Sequence, residues 1–122
     1  MKRVRSVLVV DRSHASSTLQ ALEQAGWICG HAPDLISSLA VLRQVRPALL
    51  LVVTTDGTRS QRAVRALRQD PLMAGVLLVL TEEAARELPF VDAERVQAGP
   101  DLAANLSRLL AQSESRPLSV GD

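Results

Sequence analysis

The residues most able to do chemistry in this chain are charged, and the densest group is a run of arginines. Arg59, Arg62, Arg65 and Arg68 recur every third residue, with Ala63, Val64 and Leu67 between them. At about 100° per residue on a helix, the arginines fan over roughly half the circumference and the apolar residues face inward. Such a face can dock an acidic partner or a phosphate-rich polymer, or it can simply be a solvated helix surface. Asp56 is followed by Gly57, a pair that shapes a turn. Asp11 follows an apolar run, and its carboxylate can accept backbone N–H groups near a helix start. One carboxylate alone is a poor site for a hard cation. Arg12 either points to solvent or sets its guanidinium beside Asp11. Thr81, followed by Glu82 and Glu83, has the pattern of a helix cap with acids in the first turn. Cys29 and His31 alternate with no partner motif for metal binding or nucleophilic catalysis. Neither a glycine-rich phosphate loop nor the spacing of a catalytic triad is present.

The elements that carry these residues alternate along the chain. Ser6 to Val10 reads as a strand buried on both faces. Ser13 can cap a helix running to about Ala25, faced by Leu19, Leu22 and Ala25 and stopped by Gly26. Trp27 to Ala32 reads as the second strand. Asp34 caps a second helix, lined by Leu35, Leu39 and Leu42, that ends before Pro47. Ala48 to Val53 is the third strand, 54–58 a loop, and Arg59 to Gln69 the third helix. Val76 to Leu80 is the fourth strand, and Glu82 to Glu87 leaves room only for a short helix before Pro89. Arg95 to Ala98 is a weak fifth strand, and Asp101 to Gln112 a last helix faced by Leu102, Leu106, Leu109 and Leu110. Five strands alternating with five helices predict an α/β fold, a doubly wound five-stranded parallel sheet of (βα)5 type. Residues 1–112 form the domain, and 113–122, polar with Pro and Gly, a flexible tail or linker.

Composition bounds the class. A chain of 122 residues fits one domain that buries about two-thirds of its unfolded surface. Apolar residues make up 47% but aromatics only 2%, so the core must be aliphatic. A net charge of +1 is too small to imply nucleic acid or a membrane. The single cysteine excludes an internal disulfide and fits a reducing cytoplasm. The apolar run after the basic N-terminus is too short for a signal sequence, and no stretch could span a bilayer. A cytoplasmic domain is the expectation.

Taken in order, several segments carry a family resemblance. VLVVDRS, ALEQAGWICGHAPD, PALLLVV, RALRQDP and VLLVLT, followed by Gly99-Pro100, match the bacterial response-regulator receiver domain in order and spacing. The chain resembles that family from about Val4 to Leu110, which implies a flavodoxin-like fold. In receivers, two acids after the first strand and a phospho-accepting aspartate hold Mg²⁺. A lysine on the fifth strand and a hydroxyl after the fourth steady the phosphoryl group. Against that pattern the chain retains Asp11, Thr81 and Pro100. Val53 stands at the acceptor position, Arg12 at the second acid, Gly99 at the lysine, and Val96 at the aromatic switch. Asp56 lies up to ~10 Å further along extended chain, too far to replace the acceptor.

The resemblance therefore implies a pseudo-receiver with no catalytic residues, metal or cofactor. Such a domain is not an enzyme but a protein–protein interaction module in two-component or phosphorelay signalling. The alternative is an atypical receiver, phosphorylated at a non-standard residue or regulated by a small ligand at the degenerate site. Partners would be signalling proteins or a fused output domain. Receivers commonly pair through the fourth helix, fifth strand and fifth helix, so a homodimer also follows from the resemblance. The short fourth helix should alter that surface, leaving the arginines of the third helix as the partner-facing candidate.

Overall fold

In the computed structural model, residues 5–12, 17–54, 57–71, 75–89 and 91–115 are described, save for the side chains of 57–59 and 114–115. The elements run β1 (Ser6–Val10), α1 (Ser17–Gln24), β2 (Ile28–Ala32), α2 (Leu35–Val45), β3 (Leu49–Val52) and α3 (Gly57–Gln69). They continue through β4 (Leu77–Thr81), α4 (Glu82–Glu87), β5 (Glu94–Val96) and α5 (Leu102–Ser115). All four strand pairings are parallel, in the order β2-β1-β3-β4-β5. This is the flavodoxin-like doubly wound sheet that the alternation predicts.

Alternation along each strand splits the core in two. Leu8, Val10, Leu50, Val52, Leu78 and Leu80 pack with Leu35 and Leu42 of α2, Ala63, Val64 and Leu67 of α3, and Ala84 and Ala85 of α4. Val7, Val9, Leu49, Leu51, Val79 and Val96 face the other way, onto Leu22 of α1 and Leu102, Leu106 and Leu110 of α5. Within β1, β3 and β4 the runs 7–10, 49–52 and 77–80 are apolar without interruption because both faces of these strands are covered. Each fully buried leucine contributes about 1.5–3 kcal/mol relative to exposure. At the sheet edge β2 alternates between exposed and half-buried up to the buried Ala32, and polar residues are tolerated there.

Local signals account for several ends. Asp34 caps α2, its Oδ1 accepting the Ser37 N–H at 2.7 Å. Arg46 closes the same helix in the left-handed region (φ 49°), just before Pro47. Gly26 (φ 92°) turns the chain after α1.

Other boundaries differ from expectation. Ala25 is exposed in the turn rather than part of the apolar face of α1, and Ser13 lies outside the described residues. The helix α3 begins at Gly57, earlier than expected. Pairing of Thr81 with Val96 and of Val79 with Glu94 accompanies a shift of β4 by one residue, from the expected Val76–Leu80 to Leu77–Thr81, and moves β5 forward to Glu94–Val96. The helix α5 continues to Ser115, into the segment expected to be a tail. Strand ends are set by the partner across the ladder, which local sequence does not specify.

Candidate functional site

The sheet reverses its winding between β1 and β3, and the crevice at the C-terminal ends of these strands is where open α/β sheets place ligands. Asp11 lies there, 7% exposed, with its N–H bonded to the Ala32 carbonyl at 3.0 Å. Its carbonyl oxygen accepts from His31 Nε2 at 2.7 Å, a contact that requires a proton on Nε2. Its carboxylate accepts the Thr54 hydroxyl at 3.3 Å, and that hydroxyl oxygen accepts the Arg12 backbone N–H at 3.1 Å. The Arg12 residue itself is exposed. Thr54 thus links the β1 end to the β3 end. In the sequence Thr54 falls in the expected loop 54–58, and a threonine just past a buried strand is the available signal.

Val53 is half-buried just beyond β3, its N–H bonded to the Val10 carbonyl at 2.9 Å. Thr81, 2% exposed, donates its hydroxyl proton to the Val53 carbonyl at 2.9 Å. The same oxygen accepts the Ala84 N–H at 3.2 Å and caps α4, with Glu82 and Glu83 in the first turn. The capping reading of Thr81 holds, and its one hydroxyl proton is already engaged. Beside it lies an open cavity of about 390 Å³, lined by Val53, Thr81, Glu82, Glu83, Arg86, Gln97 and Ala98. Gly99 and Pro100 are exposed beyond it, with open space where a Gly99 side chain would begin. Val96, 5% exposed, is packed into the α1/α5 layer.

On α3, Arg62, Arg65 and Arg68 are exposed while Ala63, Val64 and Leu67 are buried, as the spacing predicts. The Arg59 side chain and Asp56 lie outside the described residues. The guanidinium of Arg68 donates to the Asp92 main-chain carbonyl, so it clips α3 to the segment before β5. That engagement narrows the arginine fan. Cys29 is half-buried, its thiol 3.7 Å from the Trp27 carbonyl oxygen. Burial pushes this thiol up from its ordinary value, and the charge of Glu23 adds to the rise. Among the described residues, no three His, Cys, Asp or Glu side chains converge to hold a metal ion, and no helix is long and apolar enough to cross a membrane.

Comparison with known proteins gives a family and a fold. The model of the VpsR domain family matches residues 1–84. No curated protein sequence matches the chain. Among solved structures, the signal receiver domain of a signal transduction histidine kinase from Syntrophus aciditrophicus superposes with a TM-score of 0.72 at 17% identity, covering 96% of this chain and 97% of its own. Chemotaxis response regulator CheY4 of Vibrio cholerae gives 0.70 at 18% identity, covering 88% and 99%. A response regulator from Desulfuromonas acetoxidans gives 0.70 at 17% identity, covering 87% and 96%. At these identities the likeness is one of fold.

Proposed function

The chain belongs to the VpsR domain family, and from that premise and its receiver fold we propose a non-phosphorylated pseudo-receiver that acts as a protein–protein interaction module. It would serve bacterial two-component or phosphorelay signalling from the cytoplasm, through protein partners or a fused output domain. The observation that carries this reading is Val53. A residue with no nucleophile follows β3, and its main-chain carbonyl holds the Thr81 hydroxyl that would otherwise face a phosphoryl group.

The neighbouring residues agree. A hard divalent cation wants several oxygen ligands, usually carboxylates. Here Asp11 supplies one carboxylate, already accepting from Thr54, with Arg12 beside it in sequence. These residues do not fit a magnesium ion. Gly99 offers no cation to offset charge on a transferred phosphoryl group. Among the described residues these groups do structural work, which supports a module that acts by binding rather than by catalysis.

Incubation with acetyl phosphate and Mg²⁺ tests this, and the intact mass should not change. A gain of one phosphoryl group, mapped to Asp56 and lost in Asp56→Asn, would replace this reading with an atypical receiver. A second reading, a small regulatory ligand at the degenerate site, draws on the cavity beside Val53 and Thr81. It would require a ligand whose stabilisation of the fold is lost in Thr81→Val.

A further inference from the structure

The helix α4 is only six residues long, and Val91 and Asp92 beyond it are not helical. A groove of about 490 Å³ runs between this segment and α3, lined by Gln61, Val64, Arg65, Arg68, Val91 and Asp92. The four α3 residues are spaced i, i+3, i+4 and i+7, so they form one stripe along the helix. Val64, 5% exposed, and half-buried Val91 make the groove partly apolar, while Arg65 stands exposed on the same stripe. Arg62, three residues before Arg65 and also exposed, extends the basic side. The helix α3 contains four arginines and no acid, although the chain as a whole is nearly neutral. Arg68 bonds the Asp92 main chain, so a hydrogen bond ties the two walls of the groove together.

We propose that this groove docks a protein segment in which a bulky apolar side chain is flanked by carboxylates. The apolar side chain enters between Val64 and Val91, and the carboxylates meet Arg62 and Arg65. This deepens the interaction-module reading, and rests on it, by giving the partner surface a location and a chemistry. Charge complementarity selects acidic partners, and the apolar lining selects a protein over a nucleic acid. The Asp92 carboxylate on the groove wall repels a uniform polyanion.

Selection of a random displayed-peptide library on the intact chain provides the probe. Selected peptides should carry an aliphatic or aromatic residue flanked by Asp or Glu. Their affinity in solution should fall about ten-fold with Arg65→Glu combined with Gln61→Glu, and fall as salt rises. Replacing the apolar peptide residue with serine should weaken binding comparably. Both substituted positions are exposed, and an unchanged melting temperature would separate lost binding from lost folding. Selected peptides without acids, indifference to the double substitution, or equally tight binding of a single-stranded oligonucleotide of the same charge would each overturn the proposal. The acetyl-phosphate experiment separates the two readings. A phosphorylated chain defeats the pseudo-receiver whatever the groove binds, whereas an unlabelled chain with unresponsive peptides defeats the groove alone.

Discussion

The hydroxyl of Thr81 donates to the main-chain carbonyl of Val53 across 2.9 Å, joining the end of β4 to the end of β3 while capping α4. One buried side chain therefore satisfies a strand carbonyl and a helix N–H together. Thr81→Val keeps the shape but leaves both groups unpaired, which should cost about 1–3 kcal/mol in urea unfolding. Thr81→Ser should recover most of that loss. A Thr81→Val chain as stable as the parent would show that water replaces both bonds at no cost.

Val53→Asp restores a carboxylate at the β3 end without restoring its partners. Acetyl phosphate should still add no mass, because Arg12 and Gly99 are unchanged. Millimolar Mg²⁺ should leave the melting temperature of the parent chain where it is, since a ligand stabilises only near or above its dissociation constant. A saturable magnesium shift that disappears in Asp11→Ala would reverse the conclusion about the donor set.

The two ends of α2 make opposite predictions. Asp34→Ala removes a cap with a 2.7 Å bond and should destabilise by about 1 kcal/mol. Arg46 occupies the left-handed region at φ 49°, where glycine sits without a steric penalty. Arg46→Gly should accordingly stabilise by up to about 1 kcal/mol. Destabilisation by Arg46→Gly would mean that the arginine side chain contributes more than its backbone costs.

Cys29 should react slowly. Its thiol is raised first by burial and then by Glu23, so the folded chain holds less thiolate at neutral pH than the unfolded chain. Iodoacetamide should modify the native protein more slowly than the urea-unfolded protein at the same pH. The sign for stability follows. The neutral thiol is favoured in the fold, so its contribution is complete below the thiol's unfolded pKa and is lost as pH rises through the folded value. Faster modification of the native chain would contradict this assignment.

What local sequence determines is visible at particular residues. The apolar runs 7–10, 49–52 and 77–80 are strands because uninterrupted β-branched and leucine residues suit a sheet covered on both faces. Asp34, Gly26 and the six-residue α4 were legible because caps, left-handed turns and prolines act within a few residues. The substitution at position 53 was legible because it needs only the order and spacing of neighbouring segments. Tertiary structure alone decided the rest. The Thr81 bond to Val53 spans 28 residues of sequence, and the link from Thr54 to Asp11 spans 43. Arg68 looked like one more solvated cation until folding brought the Asp92 carbonyl to it. The ends of β4 and β5, the width of the groove and the role of Thr54 all depend on a partner distant in the chain. A residue's own side chain sets what it can bond, but only packing decides which partner arrives.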